Sequence, residues 1–304
     1  MKLVENDDVR GVAGQVDLVD TLRKAFLDSA TGKTALQPRQ RISSDALKLS
    51  TMAAILPESG VAGAKVYTTL AGRFAFVILL FDAKTGVPLA CMESDVITEV
   101  RTAAVSTMAA MDFGPENPEV LTVFGTGLQG RSHILEMAAR LPLREVRVVS
   151  RGDAGCFCDE VSAEIGVPVA QVTPETAVPG ADIVVTATRS QTPLFDGDQL
   201  GPNAFVAAVG STLPTAREVD GRTIARASTV LIEDRDQSFA EAGGLILAEQ
   251  EGALDRGKVM TIGQALTAPG KVRPSGEGIV VFESVGIALE DVAIAAAIFR
   301  ALPS

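Results

Sequence analysis

Gly125-Thr-Gly127-Leu-Gln-Gly130 stands directly after the apolar run Val120-Leu-Thr-Val-Phe124 and ahead of a helical pattern. A GxGxxG string alone is common, but a buried strand before it and a helix after it are the context a dinucleotide loop requires. Gly125 allows the tight turn, Gly127 lets the backbone approach a pyrophosphate, and Gly130 lets the helix pack closely on the strand. With Thr126, Leu128 and Gln129 the loop places amides at a helix N-terminus, where partial positive charge collects. The next strand, 145–150, ends in Ser150-Arg151. An Asp or Glu here would grip a ribose 2′-hydroxyl, whereas Ser and Arg can hold a 2′-phosphate, so the expected cofactor is NADP(H), with NAD(H) second. Thr186-Ala-Thr188 and Val209-Gly210 close two further strands, and strand C-termini line the ligand crevice of such a sheet. They are candidates for packing near a nicotinamide or, equally, simple strand ends.

The elements that must position these residues divide the chain. The first third reads as mixed α and β: a helix over 16–30, antiparallel strands over 64–69 and 74–81, a short strand over 88–93 and a small-residue helix over 98–111. Phe113-Gly-Pro-Glu-Asn-Pro118 stops that helix and marks the best boundary. Strands over 120–124, 145–150, 182–187, 204–209 and 230–234 follow, with helices over 130–139 and 159–165. That alternation predicts a parallel, doubly wound sheet. The end, 286–302, is Ala-rich and helical. The fold class is therefore α/β.

Composition agrees and excludes other classes. The 304 residues are 47% hydrophobic, enough for a substantial core, and only 4% aromatic, so Ala, Val, Leu and Ile must fill it. A net charge of −11 gives no broad pull toward nucleic acid or anionic membrane. Three cysteines (Cys91, Cys156, Cys158) and one histidine make neither a disulfide framework nor a metal site. No apolar stretch is long enough to span a membrane, and the expected location is a reducing cytoplasm. His133 lies on the helix after the glycine loop with no nucleophile or acid beside it, and reads as structural.

Ile97-Thr-Glu-Val-Arg101-Thr-Ala-Ala-Val, the glycine loop, Gly180-Ala-Asp-Ile-Val-Val-Thr186, Ala208-Val-Gly-Ser-Thr-Leu-Pro214, Arg217-Glu-Val-Asp220 and Phe282-Glu-Ser-Val-Gly-Ile-Ala-Leu-Glu-Asp291 occur in that order. Together they resemble the ornithine cyclodeaminase/mu-crystallin family across nearly the whole chain. The resemblance implies a substrate-binding and dimerisation domain of residues 1–115 with 284–304. Into it an NAD(P)-binding Rossmann domain of 116–283 is inserted. It implies a homodimer, and nicotinamide chemistry on a small imino or amino acid. Three basic residues hold the substrate carboxylate in this family, and the matching positions are Arg41, Lys65 and Arg101. Arg39 competes with Arg41, whose separation from Leu56-Pro57 fits the family spacing better. Ser284 would lie near the nicotinamide edge.

One departure narrows the chemistry. Cyclodeaminases carry an Asp after the Ala-Val-Gly strand, and Thr212 stands at that place here. Thr cannot act as a base or hold an ammonium as a carboxylate does. The expected catalytic set is Lys65 and Arg101, with Thr212 offering a hydrogen bond. The expected activity is NADPH-dependent reduction of a cyclic ketimine carboxylate to proline or pipecolate. Ornithine cyclodeamination, an alanine dehydrogenase-like activity and a non-catalytic NADPH-binding protein are the alternatives.

Overall fold

The computed structural model describes residues 1–273 and 276–303. They form two compact units. One comprises Met1–Val105 and the C-terminal segment from Gly286; the other is Ser106–Val285. The division falls inside the helix Asp95–Phe113, ahead of the expected boundary at 115/116. The reason is local: Ser106, on the last turns of that helix, meets His133 of the second unit, Oγ to Nε2 at 3.0 Å.

The first unit is built on a six-stranded sheet. Its strands are β1 (Lys2–Val4), β2 (Ala35–Ser44), β3 (Leu47–Leu56), β4 (Val61–Leu70), β5 (Arg73–Asp82) and β6 (Pro88–Glu93). They lie in the order β1-β6-β5-β4-β3-β2, antiparallel except for β1 against β6. Ala71 and Gly72, both with positive φ, make the two-residue turn between β4 and β5 that matches strand twist. Alternation puts Met52, Lys65, Ile78 and Met92 opposite one another in a single row across β3 to β6, all of them buried. The C-terminal helix Ala288–Ala301 covers this face, and the helix Leu18–Ala30 packs on it in turn. The latter starts two residues later than expected because the Asp17 carboxylate accepts the Asp20 amide at 3.0 Å and caps it. The opposite sheet face leaves Ile42, Leu47, Ile55 and Leu70 exposed.

The hairpin β2–β3 is absent from the sequence reading. Strand β2 carries Pro38 and a run of polar residues because it is an edge strand with little of its length buried.

The second unit is an eight-stranded, wholly parallel sheet. Its strands are β7 (Val120–Phe124), β8 (Glu145–Val149), β9 (Val169–Gln171), β10 (Ile183–Thr186), β11 (Phe205–Ala208), β12 (Ala227–Ile232), β13 (Val259–Thr261) and β14 (Ile279–Glu283). The order is β13-β12-β14-β11-β10-β7-β8-β9. Strand β7 lies between β8 and β10, so the chain runs outward in both directions from it, the switch point of a Rossmann-type sheet. Strand β14 inserts between β11 and β12, a placement that chain order does not foretell.

Candidate active site

In the first unit, β4 brings Lys65 under the C-terminal helix as the charged member of an otherwise apolar row. The side chain is 2% exposed. Its ammonium donates to Thr98 Oγ1 at 2.6 Å and to Asp291 Oδ1 at 2.9 Å, and lies 4.5 Å from the centre of the Phe76 ring. Burial lowers its pKa from 10.5 to about 8, with Asp291 pulling it back up and Arg101 pushing it further down. Asp291 and its neighbour Glu290 stand on the first turn of the C-terminal helix, where the helix N-terminus favours negative charge.

Arg101, on the helix Asp95–Phe113, pairs with Glu290 and approaches Asp291 Oδ1 through Nε at 3.2 Å. Its guanidinium lies over Gly286, whose φ is +68°, and a Cβ there would meet both terminal nitrogens at 2.5 Å. Burial works against ionised Asp291, yet Arg101 and Lys65 outweigh it and hold the carboxyl below its usual range.

The two arginines of β2 sort differently from the sequence expectation. Arg39 is half-buried, donates to the Gly286 carbonyl at 2.8 Å, and acts electrostatically on both Lys65 and Asp291. Arg41 is exposed. The register shift in β2 between Gln37 and Gln40 is the physical reason: it sets Arg39 beside the cluster and leaves Arg41 further along the strand, opposite Ser50. Arg39 is thus the β2 arginine that stands beside Lys65 and Arg101. Lys65, Arg101 and Arg39 gather with Glu290 and Asp291 in a largely dry site. Such a site can accept a small carboxylate, with Arg101 presenting a fork of donors.

In the second unit the glycine loop has the geometry its sequence implies. Gly125 adopts φ +111°, closed to other residues, and a Cβ there would meet the Ala187 carbonyl at 2.5 Å. Gly127 caps the helix Leu128–Ala138, with nothing near its missing Cβ. That open cradle over helix amides fits a pyrophosphate. Thr126 and Ser150 face each other across it, hydroxyl to hydroxyl at 3.4 Å. Arg151 is exposed, and no carboxylate among the described residues pairs with it.

Thr186, Ala187 and Thr188 end β10, while Val209 and Gly210 end β11, with the Val209 amide bonded to the Thr186 carbonyl at 3.0 Å. The structure adds a residue that the sequence reading quotes only as part of a motif. The buried Glu218 carboxylate accepts the Thr188 amide at 2.7 Å, the Thr188 hydroxyl at 2.5 Å and the Gly210 amide at 2.7 Å. Burial raises its pKa against the pull of those donors. Ser284 is buried and donates to Glu233 Oε1 at 2.6 Å, which fixes its side chain. Thr212 is half-buried in the loop after β11.

His133 is fully buried. The Gln129 carbonyl accepts from Nδ1 at 2.7 Å, so Nε2 is left to accept from Ser106, and burial pulls the pKa down to about 4. It is a neutral helix-to-helix link.

The model of the ornithine cyclodeaminase/mu-crystallin family matches residues 2–303. A Delta(1)-pyrroline-2-carboxylate reductase of Bacillus cereus is 30% identical over 245 residues, 79% of this chain and 73% of its own length. The crystal structure of a probable ornithine cyclodeaminase from Bordetella pertussis superposes with a TM-score of 0.95 at 40% identity, covering 99% of this chain and 97% of that one. Thermococcus litoralis Delta(1)-pyrroline-2-carboxylate reductase, in complex with NADH and L-proline, gives 0.92 at 25% identity, covering 99% and 97%.

Proposed function

The chain belongs to the ornithine cyclodeaminase/mu-crystallin family and is a nicotinamide-dependent oxidoreductase. On that premise we propose that it reduces a cyclic ketimine carboxylate with NADPH. The substrate is Δ1-pyrroline-2-carboxylate or Δ1-piperideine-2-carboxylate, and the product proline or pipecolate. The observation that carries this reading is the convergence of the Lys65, Arg101 and Arg39 cations on one buried cluster, in a chain related over most of its length to a pyrroline-2-carboxylate reductase.

The cofactor, when bound, supplies hydride to the imine carbon. The chain supplies the rest. Arg101 and Arg39 hold and orient the substrate carboxylate. Lys65 completes that charge and, with its pKa near 8, exchanges a proton at neutral pH. The protonated imine is a strong electrophile, so positioning carries much of the rate. Thr212 contributes at most a hydrogen bond.

Preference for the phosphorylated cofactor rests on Ser150 and the exposed Arg151, which offer a hydroxyl and a fork of charged donors. The first unit is the substrate-binding and dimerisation domain and the second the nucleotide domain. Pairing of two chains is supported by the exposed apolar residues on the outer face of the first sheet. Three free cysteines suit a reducing cytoplasm.

The likeness to the Bordetella structure favours a second reading, ornithine cyclisation with ammonia release. Thr212 at the place of the cyclodeaminase Asp speaks against it. One experiment separates them: NADPH loss with each cyclic imine, and with pyruvate plus ammonia, beside ammonia release from ornithine with NAD. Rapid NADPH loss with a cyclic imine is expected. Ammonia release without imine reduction overturns the proposal, and tight NADPH binding with neither reaction points to the binding-protein alternative.

A further inference from the structure

Three carboxyl groups share the carboxyl-end edge of the parallel sheet in the second unit. Glu283 is the last residue of β14 and lies opposite Ala208 of β11; Glu233 follows β12; Glu218 receives the amide of Gly210, just beyond β11. Glu218 has its three donors, and Glu233 accepts the Ser284 hydroxyl and the Val285 amide. Glu283 differs. It is 4% exposed, and its Oε1 has no hydrogen-bond partner. Its carboxyl faces the start of the helix Gly243–Gln250, where a Cβ on Gly244 would collide with both of its oxygens. The charged groups acting on it, Glu218 and Glu233, are both acids.

A buried carboxyl beside two others, with an unsatisfied oxygen, is a poor stabilising device. Burial, reinforced by Glu218 and then Glu233, raises its pKa to about 8, so at neutral pH it holds its proton. The edge is also where a cofactor belongs. The glycine loop and Ser150 claim the ends of β7 and β8 for the adenosine half. The second half of a doubly wound sheet, here β10, β11 and β14, then takes the nicotinamide half. The reduced nicotinamide ring is neutral, and the oxidised ring carries a positive charge. A positive charge brought to this edge favours ionised Glu283; a neutral ring does not.

We propose that Glu283 is a proton-linked electrostatic partner of the oxidised nicotinamide ring: it releases its proton to solvent when the oxidised cofactor binds and keeps it when the reduced cofactor binds. This rests on the reading of the second unit as a nicotinamide site. By linkage, the released proton makes affinity for the oxidised form pH-dependent, and hydride donation becomes easier as pH rises toward the ionisation of Glu283.

The test is calorimetric titration of the intact protein with NADP+ and with NADPH, near pH 7.5, in two buffers of different ionisation heat. Wild type is expected to release on the order of one proton with NADP+ and close to none with NADPH. The affinity for NADP+ relative to NADPH should rise up to ~10-fold per pH unit between about 6 and 8. In Glu283→Gln, which preserves shape, the proton difference should vanish and the ratio should stay flat. Equal proton counts for the two cofactors in wild type overturn the proposal, and this comparison decides it even if the variant does not fold. A difference that survives in Glu283→Gln overturns it as well. Binding of neither cofactor would instead overturn the nicotinamide reading on which the proposal stands.

Discussion

Asp291→Asn is the perturbation that best isolates the proposed carboxylate site. Asp291 Oδ1 is 2.9 Å from the Lys65 ammonium and 3.2 Å from Arg101 Nε, so it sets the charge state of the cluster. Lys65 has a pKa of about 8 only because Asp291 opposes the burial that drives it down. A hydrogen bond to a charged group contributes ~1.5–3 kcal/mol. Its loss should lower the Lys65 pKa by roughly one to two pH units, at about 1.4 kcal/mol each. If the charged lysine binds the substrate carboxylate as proposed, kcat/KM in wild type should be on a plateau below about pH 8 and fall as pH rises through it. In Asp291→Asn that limb should move to about pH 6–7, leaving kcat/KM about 5- to 50-fold lower at pH 8. Arg101 keeps Glu290 as its partner, so the variant should still fold. The assay is NADPH loss with Δ1-pyrroline-2-carboxylate across pH. A limb that does not move refutes the reasoning, because a limb set by the substrate's own imine nitrogen would stay where it is.

Arg39→Ala should raise KM by ~10-fold or more through loss of a charged contact, whereas exposed Arg41→Ala should change it by less than about threefold; the reverse order would reinstate Arg41. Arg151→Ala should cost ~1.5–3 kcal/mol of NADP(H) affinity and leave NAD(H) unaffected, and equal losses in fluorescence titration would remove it from the 2′-phosphate site. His133 has a folded pKa of about 4 against 6.5 when unfolded, so its neutral, buried state supports the fold fully above about pH 6.5. That support, about 3 kcal/mol, should be lost as pH falls from 6.5 through 4 in denaturant titrations, and a His133→Gln variant with the same acid profile would contradict it. Light scattering at micromolar concentration should give a dimer, and a monomer would leave the exposed apolar face of the first sheet without its proposed cover.

Much of the second unit was legible because its signals are local. The glycine loop needs only a strand before it and a helix after it, and both stand within a residue or two of the expected bounds. Ser150 follows β8, and Thr186 and Val209 stand at the ends of β10 and β11 as the alternation implies. The hairpin β2–β3 was not legible, since an edge strand with solvent on most of its length needs no apolar alternation.

The sequence by itself determined the α/β class, the glycine loop between a strand and a helix, and the family, because residue type and near-neighbour spacing are enough for each. Only the tertiary structure shows which β2 arginine stands beside Lys65 and Arg101. A register shift changes the position of every residue beyond it, and nothing in Gln37-Pro-Arg39-Gln-Arg41 marks where the strand slips. It alone brought Asp291 to Lys65 across 226 positions and buried that lysine, and the burial lowers its pKa while Asp291 holds it up. It alone gathered Glu218, Glu233 and Glu283 on one edge, by placing β14 between β11 and β12. Burial and long-range charge depend on which distant segments meet, and that is a property of the packed chain.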